Sequence, residues 1–213
     1  MTELTKTAAV YALVRSLPRL NHEARSPDLP PNGIYLFFER GETVKREGQT
    51  YDRIVRIGTH RQDGRFPARI RQHYGHVFSL RGNKNSSVFR KHLGGALMRR
   101  VDTSDQRIGP WLIQGGPSFP EVEESVSRLL RECFTFACFR VDLREDRMLL
   151  ESGLIALLAQ HPLGQPSEDW LGHHAASEEI RRTGLWNTQR VDAVPLTDEE
   201  VQRFERLVQA ALA

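Results

Sequence analysis

The 213-residue sequence predicts an α+β (α/β) fold: a small, mainly antiparallel three-stranded sheet flanked by helices, with added N- and C-terminal helices. Two short apolar runs lie close enough together to pair as a hairpin. A third run, rich in aromatic side chains, follows far downstream, and most other apolar positions recur at helical spacing. Few strands amid many helices exclude a parallel doubly wound sheet.

The elements follow in order. Residues 4–20, LTKTAAVYALVRSLPRL, carry helical spacing that Pro18 ends. The polar, proline-rich NHEARSPDLPPNG then reads as a connector. GIYLFFERG and YDRIVRIG are β-branched and aromatic and read as paired strands; the polar link ERGETVKREGQTYD predicts a loose turn between them. RFPARIRQHYG suits a helix with Pro67 in its first turn, and NSSVFRKHLGGALMRRV one capped by Ser86 or Ser87, with Gly94 and Gly95 as weak points. After a linker, FPEVEESVSRLLREC has acids in its first turn and basic residues later, as the helix dipole favours. FTFACFRVDL is the buried strand of the second half. REDRMLLESGLIALLAQH aligns Leu150, Leu154, Leu157 and Leu158 on one stripe, with Glu151 beside it. Residues 162–195 are mostly irregular apart from a short helix near SEEIRR, and Thr197 with Glu200 forms a capping box before the last amphipathic helix.

Cys133 and Cys138 are the only cysteines; their odd spacing in an apolar run disfavours a mutual disulfide, and two thiols alone disfavour a zinc knuckle. No apolar run approaches the roughly 18 to 20 residues of a membrane span, and the N-terminus lacks a signal-peptide apolar block. The expectation is an intracellular, cytoplasmic protein without membrane contact.

The net charge of +3 hides an asymmetry. Residues 1–100 hold 19 Lys and Arg against 8 Asp and Glu, whereas the remaining 113 hold 11 against 19. Residues 53–100 alone carry 12 basic side chains and one acid, Asp63. Such a run is either a solvated basic face or a surface for a polyanion, most simply a nucleic acid. No phosphate-binding glycine loop, nucleophile elbow or two-histidine zinc helix is present.

Gly33-Ile34-Tyr35, followed some twenty residues later by Arg56-Ile57-Gly58, resembles the signature hairpin of the GIY-YIG endonucleases. The family also places an arginine on the first helix after the hairpin and a glutamate on a later helix; Arg69 in RFPARIRQHY and Glu151 in LLESGLIALL match these. The resemblance spans roughly residues 32–190, which divides the chain into an N-terminal helix and linker (1–31), a nuclease-like domain (32–190) and a C-terminal helix packed on it (191–213). It implies a metal-dependent endonuclease hydrolysing DNA phosphodiester bonds at a one-metal site. Tyr35 would orient or deprotonate the attacking water, Arg69 would hold a phosphate oxygen and Glu151 would ligate Mg²⁺, with Mn²⁺ as a substitute. His73, four residues after Arg69, is similar to the arginine-histidine pair of some restriction enzymes of this superfamily. Asn187 stands where members often carry a polar amide near the site.

Each residue also has a plainer reading: a half-buried strand tyrosine, a solvated arginine, a surface histidine, a helix-surface glutamate, a turn asparagine. Two departures stand out. Arg56 occupies the place of the family's second tyrosine, and Thr59 and His60 stand where lysine commonly follows. Either the site is catalytically degenerate and only binds, or Arg56 stabilises charge and His60 handles a proton. Arg61, Arg65, Arg71, Lys84, Asn85, Arg90 and Lys91 extend the cationic surface and are expected to contact nucleic acid, with double-stranded DNA the expected partner. Cutting both strands from a one-metal site calls for a homodimer. An interaction module using the acidic C-terminal half is a third reading.

Overall fold

The computed structural model describes residues 1–76 and 79–212. Its centre is a three-stranded antiparallel sheet in the order β2-β1-β3, with β1 at Gly33–Arg46, β2 at Gln49–Gly58 and β3 at Phe134–Arg140. Period-two alternation along β1 sends Ile34, Leu36 and Phe38 to one face and Tyr35 and Phe37 to the other, and all five are buried. On the first face pack α1 (Glu3–Arg15), α6 (Arg144–Gln160) and α8 (Asp198–Ala210). On the second pack α2 (Phe66–Tyr74), α3 (Val88–Val101), α4 (Ile108–Leu112) and α5 (Pro120–Cys133). The expected leucine stripe of α6 is the core-facing one, each such side chain worth about 1.5–3 kcal/mol when buried. Short 3-10 turns at Ser26–Asp28 and Leu171–His174 and a six-residue α7 (Glu178–Thr183) complete the chain. Among the described residues no helix is long and apolar enough to cross a membrane. Cys133 and Cys138 are free thiols.

Three local features differ from the sequence reading. The hairpin turn is tight: Arg46 pairs with Gln49, and Glu47 (φ 50°) and Gly48 (φ 77°) both take the positive φ that a two-residue type I′ turn needs. The polar link is strand, and it read as loop because the hairpin tip is largely exposed and needs no apolar side chains. Gly94 and Gly95 serve close packing: a Cβ on Gly94 would lie 2.4 Å from the Trp111 ring and one on Gly95 3.0 Å from Leu112. The helix they receive, α4, is five residues long, too short for a periodic signal. Of the two candidate caps for α3, Ser87 is the cap, accepting the Arg90 N–H at 3.3 Å.

Glu39 lies beneath two tryptophans: both indole N–H groups donate to the same carboxylate oxygen, Trp170 at 3.0 Å and Trp186 at 3.3 Å. Burial pushes the Glu39 carboxyl up to about 7, against the pull of those two bonds, with Glu42 adding repulsion. A carboxyl that keeps its proton longer when folded lowers stability as pH rises from about 4.5 to about 7, and the loss persists above that. Glu39→Gln retains an oxygen for both indoles and removes the charge. It is expected to gain on the order of 2 kcal/mol above neutral pH and little in acid, read from urea midpoints at both ends. Equal gains at both ends would rule the ionisation out.

Candidate active site

The site forms where β2 ends. Tyr35 pairs with Gly58 across the hairpin, and Phe37 pairs with Arg56. Phe38 pairs with Ile54, so Val55 is an extra residue, a bulge that brings Arg56 onto the face of Tyr35 and Phe37. The Tyr35 ring lies over Gly58, where a Cβ would meet the hydroxyl at 2.2 Å; glycine is required at that place because the ring occupies the space a side chain would use. The outer edge of β2 is covered by residues 186–187. Trp186 N donates to Val55 O at 2.7 Å, while Asn187 accepts from Ile57 N (3.1 Å) and donates to Ile57 O (2.9 Å). Asn187 therefore acts on the backbone as an extra strand would, closing an exposed edge.

An open cleft of about 820 Å³ lies against this end of the sheet. Arg56, Arg61, Arg65, Arg69 and Arg190 line it, and Glu151 is its acid. Arg69, half-buried on α2, uses one nitrogen for Gln72 Oε1 (3.1 Å) and Ser86 O (2.9 Å); its other donors face no acceptor among the described residues. Arg56 is buried, its Nη1 donating to Trp186 O and its guanidinium 4.9 Å above the Phe89 ring, and its Nε has no partner. Burial lowers its pKa, opposed by the Tyr35 oxygen and Glu151 and reinforced by Arg69. The Glu151 Oε1 accepts the Thr59 N–H at 3.0 Å, which ties α6 to the residue that follows β2. Burial raises the Glu151 pKa against that bond and the fields of Arg56, Arg69 and Arg190.

Two of the expected catalytic residues do not line the cleft. Tyr35 and His73 are both fully buried, joined by a 2.8 Å bond between Tyr35 Oη and His73 Nε2, and His73 Nδ1 reaches Ser87 Oγ at 2.8 Å. Burial drives the His73 pKa well below the usual histidine value, with Arg69, Arg56 and Arg90 adding repulsion. The surface-histidine alternative is thus excluded. His60 does line the cleft, its Nε2 held by Asn32 Oδ1 at 2.9 Å; burial and Arg147 push its pKa down to about 4. At that value His60 is neutral near neutral pH, so it cannot replace a lysine's charge and is a weak proton acceptor there.

The expected nucleic-acid contacts divide. Arg61 and Arg65 are exposed at the cleft. Arg71 is exposed outside it and donates to Ser26 Oγ, and Lys91 reaches Gln114 at 3.3 Å. Lys84 and Arg90 are not surface cations: both have no exposed area. Lys84 Nζ donates to Ile113 O and Asn85 Oδ1, and Arg90 pairs with Glu123 at 2.6 Å. Asn85 lines the cleft, but its amide is committed to Lys84, Gly115 and Gly116. Sequence reasoning did not single out Arg190, and it named Thr59 and Ser87 without the contacts they make here. Arg190 adopts φ 68° in a segment without periodicity, and Thr59 acts through its main-chain N–H, which no side-chain pattern announces.

Among the described residues no cluster of three or more His, Cys, Asp or Glu side chains is placed to hold a metal. Glu151 itself fits a single-carboxylate site: one oxygen is occupied by Thr59, the other has no hydrogen-bond partner, and burial raises its pKa despite the fields of three arginines, a cost that a bound cation would offset.

A sequence model of the GIY-YIG domain matches residues 5–212, nearly the whole chain. The chain belongs to the GIY-YIG family. Members of this family are typically nucleases and use divalent metal ions, so membership supports nuclease activity and a nucleic-acid substrate. The match runs from α1 through α8, so the terminal helices lie within the GIY-YIG match. No curated protein and no solved structure matches the chain significantly.

Proposed function

We propose that this GIY-YIG protein is a Mg²⁺-dependent endonuclease, with Mn²⁺ as a substitute, that hydrolyses DNA phosphodiester bonds in the cleft beside β2. The observation that carries the reading is one partly buried carboxylate, Glu151, facing a cleft lined by five arginines. Glu151 would hold the divalent cation, which supplies charge neutralisation at the scissile phosphate. Arg69, with unused donors, binds a phosphate oxygen, for which a planar guanidinium is suited. Arg56 is a fixed positive charge at the cleft floor, with low exposure that strengthens its field. His60, neutral and held by Asn32, contributes a ring at the cleft wall and no charge. Double-stranded DNA as substrate and a homodimer for cutting both strands belong to the same proposal.

Incubating supercoiled plasmid with the protein and Mg²⁺ should give nicked or linear product. A protein that binds but never nicks, across several divalent metals and pH values, would favour the binding-only reading. Arg56 in place of a tyrosine and the fully buried Tyr35 hydroxyl are the observations that favour that alternative.

The cleft also revises the size of the electrostatic footprint. With Lys84 and Arg90 inside the fold, the five cleft arginines are the cations available to phosphates there. The log–log salt dependence of DNA affinity, measured in EDTA, should have a slope of roughly −4.5. A slope near zero would contradict the cleft as the binding surface.

A further inference from the structure

The fully buried Ser87 hydroxyl stands at a junction that its capping role alone does not require. Its oxygen accepts the Arg90 N–H at 3.3 Å and lies 2.8 Å from His73 Nδ1. A hydroxyl has one proton to donate, and among the described residues the acceptor Ser87 reaches is that ring nitrogen. His73 is fixed from its other side too, since Arg90 Nη1 donates to the His73 carbonyl at 2.9 Å. We propose that Ser87 is a positioning residue that holds His73 as the Nε2–H tautomer, so that His73 donates its ring proton to the Tyr35 oxygen.

The consequence is directional. An imidazole that donates to Tyr35 cannot take the phenol proton, so His73 is not a base toward it. Arg56, the other polar group beside the Tyr35 oxygen, is likewise a donor. Both groups that meet the Tyr35 oxygen therefore donate to it, at a ring that lies beneath the cleft. In the reaction Tyr35 would then keep its phenol proton from His73, with no proton passed inward. The neutral state of His73, enforced by burial and by Arg69, Arg56 and Arg90, agrees with a ring carrying one proton. The catalytic consequence rests on the nuclease reading; the tautomer does not.

The test uses the full chain labelled with ¹⁵N-histidine, with His73 assigned by its loss in His73→Gln. Ring proton–nitrogen correlation spectra near neutral pH should show a protonated Nε2 and a bare Nδ1. The opposite pattern, or a doubly protonated ring, overturns the proposal. Ser87→Asn and Ser87→Asp are matched in shape and both are good helix caps, but only the amide can donate to Nδ1. Ser87→Asn should keep the tautomer and nick plasmid within about threefold of wild type. Ser87→Asp should invert or protonate the ring and lose about tenfold, the rate equivalent of one hydrogen bond to the Tyr35 oxygen. An inverted ring in Ser87→Asp with nicking equal to Ser87→Asn would overturn the positioning role. A wild-type protein that fails to nick overturns the nuclease reading, and the spectra still decide the tautomer.

Discussion

Glu151→Ala is expected to lower plasmid nicking about 10³-fold while leaving DNA affinity in EDTA nearly unchanged. The size follows from what a metal-bound carboxylate secures: several kcal/mol of charge stabilisation at the phosphate, each 1.36 kcal/mol being tenfold in rate. The selectivity follows from geometry. Among the described residues the one hydrogen bond to the Glu151 side chain comes from Thr59 N, so the carboxylate anchors no basic side chain. Removing a negative charge from an arginine-lined cleft would, if anything, strengthen DNA binding. Glu151→Gln is the stricter form, because its amide oxygen keeps the Thr59 bond and isolates the loss of the charge. Should Glu151→Gln nick at the wild-type rate in Mg²⁺, Glu151 does not hold the catalytic cation.

Glu123→Ala is expected to destabilise the fold by about 3–5 kcal/mol, because it strands a buried guanidinium. Arg90 has no exposed area; its Nε and Nη2 both donate to Glu123 Oε2, at 2.9 and 2.6 Å, and Nη2 also reaches Ser127 Oγ and the Glu123 carbonyl at 2.9 Å. The other Glu123 oxygen accepts Lys84 N at 2.6 Å and Ser118 Oγ at 3.0 Å, so the carboxylate joins α3 and α5 to the loop between α2 and α3. Losing one partner leaves charge and donors unmatched, whereas an apolar pair of similar volume need not. Arg90→Met combined with Glu123→Leu should therefore recover much of the loss. Urea midpoints at unchanged m-value would measure both. A cost below about 1 kcal/mol for Glu123→Ala would mean the pair is solvated in solution.

That pair also marks the limit of reading by type. Arg90 and Lys84 belong to a run of 12 basic residues against one acid, and fully buried Lys and Arg are rare without partners, so exposure was the reasonable expectation. Their partners, Glu123 and Ile113, lie 33 and 29 residues away, where no local pattern links them. Asn187 is similar: its hold on Ile57 spans 130 residues and depends on the irregular segment reaching the β2 edge. The short α4 lacked the length for a period, and its seat became visible only as Gly94 and Gly95 against Trp111 and Leu112.

The sequence by itself determined the layered fold and the family. Strand alternation at 34–38, the helical spacing around Leu150–Leu158 and the Thr197–Glu200 cap are properties of covalent geometry within a few residues, while the order of the hairpin, Arg69 and Glu151 is read directly along the chain. Only the tertiary structure decided which cations are free to meet a phosphate, that Tyr35 and His73 lie beneath the cleft instead of on it, and that Ser87 touches the ring behind them. The physical reason is that desolvation and hydrogen-bond partnership are set by atoms brought together from distant segments. An arginine's chemistry is local; whether it binds a substrate or a neighbouring carboxylate is not.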